Sequence, residues 1–390
     1  MIRGFKYRFY PTPKQEVLLA RTFGSVRYVY NWALALRSQA WYEDQKRINY
    51  ATTSTELTNL KRKPETTWLN EISSVPTQQC LRHLQTAFVN FWEKRTSYPS
   101  FKRKHGPQSA EFTRSAFQWD GTTLTLSKIG RLKIKWSRKF TAEPSTVTVS
   151  RTPAGRYYVT FRVDEPLLKM PKAKAAIGID LGLTAFATAS NGSKFHAPRP
   201  LRREMEQLKR AQKTLSRKKK GSKNRDKARV QAARIHQKIS DTRNDFLHKL
   251  TTRLVRENQT IVIEDLAVRN MMGNHALAGA ISDSGWSEFA RQLEYKCAWY
   301  GRRLVRIDRF YPSSKRCSCC GCMVEPMPLD VRKWRCGSCQ TEHDRDVNAA
   351  INILGAGQAL IACGDGVRPP RSQDRSGHHL RSRNRSGSRV

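Results

Sequence analysis

Three acidic residues stand where a folded chain can do metal chemistry. Asp180 follows the apolar triplet Ile177-Gly178-Ile179 and precedes Gly182; Glu264 follows Ile261-Val262-Ile263; Asp346 begins the helix-like run Asp346-Val-Asn-Ala-Ala-Ile-Asn-Ile-Leu354. Each is a carboxylate at the end of an element. In an α/β sheet the strand ends and helix starts converge on one crevice, so the three could meet and hold divalent metal. Hard cations such as Mg²⁺ take oxygen ligands in near-octahedral geometry. Two of them about 3.5–4 Å apart stabilise both the attacking and the leaving oxygen of a phosphodiester. Blander roles fit the same positions: Asp180 shaping a turn before Gly182, Glu264 as a strand-end charge, Asp346 as the N-cap of its helix. Spacing alone leaves both readings open.

A second constellation is made of cysteine. Cys317-Ser-Cys-Cys320 and Cys336-Gly-Ser-Cys339 are two CxxC pairs with 15 residues between them, close to the spacing of a zinc ribbon whose two knuckles supply four thiolates. Four sulfurs leave no open coordination position, so one Zn²⁺ there is structural and clamps a segment with little core of its own. Cys319 and Cys322 form an overlapping CxxC, and the pair predicted to bind is Cys317 with Cys320. Cys80, Cys297 and Cys363 are scattered, and the crowding of the other six reads as metal binding rather than disulfides.

Charge identifies the class of partner. The 390 residues carry 72 Lys and Arg against 32 Asp and Glu, a net charge of +40, with an isoelectric point near 10.4 and a mean hydropathy of −0.66. A catalyst of small-molecule chemistry has no use for such an excess, whereas each cation set on a phosphate releases condensed counterions. The surplus is concentrated at Arg202, Arg203, Lys209, Arg210, Lys213, Arg217, Lys218, Lys219 and Lys220, which are expected to contact a nucleic-acid backbone. Aromatics beside basic residues, as in Arg27-Tyr28-Val29-Tyr30, suit either base stacking or a core. No apolar run reaches 18 residues, and Arg3, Lys6 and Arg8 charge the start of the chain. The expected setting is therefore the cytoplasm, at the nucleoid of a prokaryote, with no membrane partner.

Hydrophobic periodicity supplies the elements that must position these groups. Phe5, Tyr7 and Phe9 alternate as in a half-buried strand, ended by Pro11-Thr12-Pro13. Leu19, Phe23, Val26, Val29, Trp32, Leu36 and Ala40 recur at helical spacing, and further helices are expected over 54–60 and 77–92. Short alternating runs at 123–126, 132–136, 146–149 and 157–161 suggest a small barrel or sandwich. After a linker over 166–174 come strands at 175–180 and 186–190 with a turn at Asn191-Gly192. Two long helices over 201–258 are expected to pair through Leu201, Met205, Leu208 and Leu215 against Ile235, Ile239, Phe246, Leu250 and Leu254. A strand at 260–264, a helix carrying Trp286 to Tyr300 and a strand at 303–308 complete an α/β order. Residues 364–390 hold seven arginines and no Phe, Trp or Tyr, and are predicted disordered.

Several of these segments together resemble the TnpB proteins of insertion sequences, compact relatives of type V CRISPR effectors. The resemblance rests on Ile177-Gly-Ile-Asp180-Leu-Gly-Leu, Ile263-Glu264-Asp-Leu, the two CxxC pairs, His343-Asp-Arg-Asp346-Val-Asn-Ala-Ala-Ile-Asn-Ile, Tyr10-Pro-Thr-Pro-Lys-Gln, Tyr98-Pro-Ser-Phe-Lys and Gln292-Leu-Glu-Tyr-Lys-Cys-Ala-Trp-Tyr-Gly301. It implies a multidomain fold: a first strand (1–10) of a wedge-like all-β barrel (106–172), a helical recognition lobe (11–105), an RNase H-like RuvC nuclease domain (173–310 and 343–363) interrupted by a four-cysteine zinc ribbon (311–342), and a basic tail. It implies Asp180, Glu264 and Asp346 as catalytic ligands of two Mg²⁺, with Asp344 the fallback for the third. It also implies a guide RNA from the transposon end, one protein copy per RNA, and double-stranded DNA beside a short adjacent motif. Tyr50, Ser54 and Gln78 are candidate readers of that motif. The extra Cys319 and Cys322 depart from the pattern. The expected activity is RNA-guided DNA cleavage; a strand-transferring transposase and a non-catalytic RNA-guided repressor are the alternatives.

Overall fold

The computed structural model describes residues 1–166, 170–325, 327–328 and 331–364. Two compact units emerge, one of Ile2–Thr152 with Arg156–Asp164, the other mainly from Glu165 onward.

In the first unit, β1 (Ile2–Phe9) leads into α1 (Pro13–Asp44), α2 (Tyr50–Arg62), a 3₁₀ turn (Pro64–Asn70) and α3 (Ser74–Trp92). The strands β2 (Gln108–Thr113), β3 (Phe117–Trp119), β4 (Leu124–Leu126), β5 (Gly130–Arg131), β6 (Ile134–Lys135), β7 (Pro144–Arg151) and β8 (Tyr157–Asp164) follow. The main sheet runs β2-β7-β8-β1-β6, and β3-β4-β5 form a separate small sheet. Phe5, Tyr7 and Phe9 all point inward, as their alternation requires. Thr12 caps α1, its hydroxyl accepting from the Gln15 N–H while Gln15 Oε1 accepts from the Thr12 N–H. The run over 132–136 is not one strand: only Ile134–Lys135 is extended, as β6 of the main sheet, while β5 just before it, at the positive-φ Gly130 (φ +90°), belongs to the small sheet.

The second unit contains β9 (Ala176–Asp180), β10 (Ala187–Ala189), β11 (Lys194–Phe195), α4 (Pro200–Arg217), α5 (Lys223–Glu257), β12 (Thr260–Glu264), α6 (Val268–Met271), α7 (His275–Ser284), α8 (Trp286–Tyr300), β13 (Arg303–Ile307), β14 (Lys333–Arg335), β15 (Glu342–Asp344) and α9 (Arg345–Ala362). Its sheet has the order β11-β10-β9-β12-β13. β9, β12 and β13 are parallel, and β10 is antiparallel to β9. The period of two sorts this sheet's side chains. Ile177, Ile179, Ile261 and Ile263 pack with Leu247, Leu250 and Leu254 of α5 and Phe289 and Leu293 of α8. Val262 lies in a second cluster with Ile353 of α9.

On that second face, Gly178 makes the closest approach. A Cβ there would lie 2.2 Å from the Ala350 carbonyl oxygen and 2.7 Å from the Leu354 nitrogen, and one at Gly357 would lie 2.4 Å from Val262 Cγ1. Helix α9 therefore rests on the strand backbone itself.

The long helical pair differs from the expected seam. Leu208 and Ala211, with Leu201 and Leu215, pack on Ala232, Ile235 and Ile239. Phe246, Leu250 and Leu254 instead join the sheet cluster, because the 35-residue α5 outruns the 18-residue α4. Its second half covers the sheet. α4 starts from Arg199 at φ +44° without a capping side chain of its own; the buried Asp283 of α7 accepts from the Leu201 and Arg202 N–H groups and pairs with Arg243 of α5. A carboxylate at a helix N-terminus meets both the free N–H groups and the positive end of the dipole. Residues 365–390, most of the predicted tail, and 167–169 of the linker lie outside the described residues. No helix among those described is long and apolar enough to cross a membrane.

Gly178→Ala is expected to lower unfolding stability by about 3 kcal/mol or more, because the new methyl meets two backbone atoms of α9. Gly355→Ala, in the same helix but with nothing within 4 Å of its Cβ position, is expected to raise it by about 0.5–1 kcal/mol. Denaturant melts of the two variants check the pair.

Candidate functional site

Asp180 and Glu264 each lie two residues beyond a position facing α9, and the alternation of strands sends all of these side chains to one side. The register pairs Ile179 with Ile263, so the two acids end adjacent strands about 4.8 Å apart. On the same side, α9 passes over Gly178 at Ala350, one turn beyond Asp346. Three acids distant in the chain are thus brought to one edge of the sheet.

Their environment resists charge. The carboxyl of Asp180 is pushed up to about 7, first by burial, then by the charges of Glu264 and Asp346, against the partial relief of Arg345 and Arg332. Burial raises Glu264 as well, opposed by a hydrogen bond from Ser313 Oγ to its Oε1 at 2.6 Å. Asp346 accepts from Arg332, whose guanidinium also reaches the Thr184 hydroxyl. The helix cap is Asp344, not Asp346: Asp344 Oδ1 accepts from the N–H groups of Asp346 and Val347, and Lys194 holds its other oxygen at 2.7 Å. Capping and ion pairing occupy Asp344, whereas Asp346 is the acid that acts on Asp180. Asp180, half-buried with two acidic neighbours, offers oxygen ligands of the kind hard divalent cations take.

The thiols of Cys317, Cys320, Cys336 and Cys339 lie within 4.8 Å of one another and could hold a metal ion. The Sγ atoms of Cys317 and Cys339 are 3.7 Å apart and those of Cys320 and Cys336 3.6 Å. Sulfurs bound tetrahedrally at about 2.3 Å stand about 3.8 Å from each other, so the cluster has the size such an ion requires. Cys319 and Cys322 are exposed and outside the group. Backbone N–H groups of Cys339 and Ser338 lower the Cys336 thiol and Thr341 lowers Cys339, whereas, against the Cys322 N–H, burial and the neighbouring thiols raise Cys320, so without an ion the four do not all favour the thiolate form. His343 Nε2 sits 3.1 Å from Cys317 Sγ.

Two asparagines join this cluster to the acids. Asn348 Oδ1 accepts from the Ser318 N–H and its Nδ2 donates to the Arg316 carbonyl, while Asn352 Nδ2 donates to the carbonyls of Ser313 and Arg316. Residues 313–318 thereby connect Glu264, Cys317 and α9. Ser313, Arg332 and the asparagine tethers were not among the predicted site residues. The asparagines' spacing of four on a helix beginning with Asp346 was the one visible signal.

The predicted nucleic-acid contacts are on the surface. Arg202, Arg203, Lys209, Arg210, Lys213 and Arg217 on α4, and Lys218, Lys219 and Lys220 after it, are all exposed. Among these nine, ion pairs join Arg203 to Glu204 and Lys209 to Glu206. In the first unit Tyr50 and Ser54 sit one turn apart on α2; Gln78 is one turn from Arg82 on α3, and the Arg82 guanidinium lies over the Tyr50 ring at 5.1 Å.

Because Asp180 binds a proton more tightly folded than unfolded, its ionisation in the metal-free protein opposes folding. The penalty is absent below its ordinary pKa of 3.8 and complete above about 7, on the order of 4 kcal/mol at about 1.4 per pH unit. Asp180→Asn is expected to melt higher than the wild type at pH 8 without divalent ions. That advantage should shrink as pH falls towards 4, and Mg²⁺ should raise the wild type alone. A lower-melting Asp180→Asn at pH 8 would refute the buried-charge account. Metal analysis should find about one tightly held ion per chain, lost with folding stability in Cys336→Ser and kept in Cys319→Ser.

Residues 157–275 match a family described as "Probable transposase", 286–353 a "Cas12f1-like, TNB domain", and 1–46 a "Helix-turn-helix domain"; in this chain the last stretch is β1 and one 32-residue helix. A Streptomyces pristinaespiralis protein called "Putative RNA-guided DNA endonuclease" is 55% identical over 379 residues, covering 96% of this chain and 94% of its own. The Escherichia coli K12 protein InsQ, named in the same way, is 33% identical over 95% of this chain and 96% of its own. Among solved structures, a Cas12f1-sgRNA-target DNA complex superposes with a TM-score of 0.57 at 12% identity, over 91% of this chain and 98% of that one. The mini-RNA-guided endonuclease CRISPR-Cas_phi3 gives 0.53 at 8% identity over 92% of each; at such identities the likeness is one of fold. Sequence relationship across nearly the whole length is what establishes kinship: the chain belongs to the TnpB family of transposon-encoded RNA-guided DNA endonucleases.

Proposed function

We propose that the protein is a metal-dependent endonuclease that uses a guide RNA from the transposon end to cut double-stranded DNA beside a short adjacent motif. The observation that carries this reading is the convergence of Asp180, Glu264 and Asp346 on one sheet edge, with Asp180 raised by burial and then by the charges of the other two. The order β11-β10-β9-β12-β13, with one antiparallel arm and a parallel core, supports an RNase H-like domain of the RuvC kind, interrupted by a zinc ribbon. The first unit is then the wedge-like β-domain with its inserted recognition lobe, in which Tyr50, Ser54 and Gln78 read the motif.

Two Mg²⁺ ions bound at the three carboxylates would supply Lewis-acid activation of the attacking water and neutralisation of charge on the scissile phosphate. The protein's own part is placement. Gly178 lets α9 descend far enough to deliver Asp346, Ser313 fixes the Glu264 carboxylate, and Arg332 orients Asp346. The four thiolates hold a structural zinc that keeps residues 313–318 in register with α9. The basic face of α4 binds nucleic-acid backbone, and contacts of this kind tip the nearly balanced exchange of DNA duplex for guide–target heteroduplex. One protein copy serves each RNA, at the nucleoid.

The purified protein should carry an RNA whose 3′ end continues into variable flanking sequence. With a matching guide and Mg²⁺ it should leave free DNA ends. Asp180→Ala should lower cleavage by at least about 1,000-fold while leaving RNA and target binding nearly intact. The matched family's description, "Probable transposase", favours strand transfer as the second reading. Joined DNA products formed without guide RNA would decide for it, and target binding without Mg²⁺-dependent cleavage would decide for a repressor.

A further inference from the structure

The turn after β13 carries an aromatic ring that the protein leaves uncovered. Phe310 is 85% exposed, whereas its neighbour Tyr311 packs with Val262, Ile307 and Ile353. The backbone beneath the ring is pinned. Asp308 Oδ1 accepts from the Phe310 N–H at 2.8 Å, the Asp308 carbonyl accepts from the Tyr311 N–H at 3.2 Å, and the Tyr311 carbonyl accepts from the Ser313 N–H at 2.8 Å.

Both flanks of this turn reach the acidic edge. On one side Arg309 Nη2 lies 2.6 Å from Asp265 Oδ2, next to Glu264; on the other Ser313 bonds to Glu264 itself. A single exposed apolar side chain is ordinary on a protein surface. A ring on a fixed turn, beside a cation and at the rim of the acid cluster, has what a base-stacking platform requires.

We propose that Phe310 stacks on a nucleobase of the DNA strand being cut, next to the scissile phosphate, and so sets that phosphate over the carboxylates. The inference rests on the nuclease reading above. Every base has a π-face, so the contact tolerates any sequence, as cleavage of a target chosen by the guide demands.

The test uses the protein with its guide RNA and a matched target. Phe310→Ala should slow single-turnover cleavage about 10- to 100-fold without changing melting or target affinity, and Phe310→Trp should restore the rate. An abasic residue at one position beside the cut should slow the wild type to a similar degree and add nothing to Phe310→Ala. With Ca²⁺ replacing Mg²⁺, 2-aminopurine at that position should be quenched by the wild type and not by Phe310→Ala. A wild-type rate in Phe310→Ala, a Phe310→Trp as slow as Phe310→Ala, or equal 2-aminopurine signals would each overturn the proposal. A wild-type complex that cuts no matched target would refute the nuclease reading instead, while the 2-aminopurine comparison still decides the stacking.

Discussion

The second unit depends on one contact, the seating of α9 on the bare backbone of β9 at Gly178. Any side chain at that position would meet the Ala350 carbonyl oxygen and the Leu354 nitrogen, and the helix would have to rise. Asp346 is one turn from Ala350 on a rigid rod, so its place relative to Asp180 follows from that single approach. Gly357 repeats the device against Val262, fixing the helix at a second point and with it the direction of its axis.

The gathered acids are expensive to hold apart from cations, and the surrounding side chains moderate the cost without removing it. Arg345 and Arg332 draw the Asp180 carboxyl back towards ionisation, and the Ser313 hydroxyl does the same for Glu264. The thiol cluster takes part from a distance. Its first knuckle follows directly on Ser313, and Asn348 and Asn352 bind that stretch to α9 through the Ser313 and Arg316 carbonyls and the Ser318 N–H. Loss of order at the cysteines would therefore reach Glu264 through four residues of chain.

Much of this is legible in the sequence because it rests on periodicity and spacing. Alternation identifies β1; the apolar triplets before Asp180 and Glu264 identify β9 and β12 as buried strands ending in those acids; and the two CxxC pairs anticipate the thiol cluster. What escapes depends on distance in three dimensions. The sequence does not say whether Asp344 or Asp346 caps α9, since both precede a helical run; in the fold Asp344 takes the Asp346 and Val347 N–H groups and Lys194, 150 residues away, pairs with its other oxygen. The expected seam between α4 and α5 is too long because a helix shows one apolar stripe whether it faces one partner or two. Strands of two or three residues, such as β5, β6 and β11, are shorter than any repeat that alternation can reveal.

The pair of α4 and the first half of α5 is closed by a thin aliphatic seam and bears a row of exposed cations that outnumber the few acids pairing with them. Mutual repulsion along such a row falls with added electrolyte, because mobile anions screen it within a Debye length of about 10 Å at 0.1 M salt. A polyphosphate chain laid along it would act as a permanent, high-density screen. With such a screen in place the self-repulsion along the helical pair would fall without any change in its own residues.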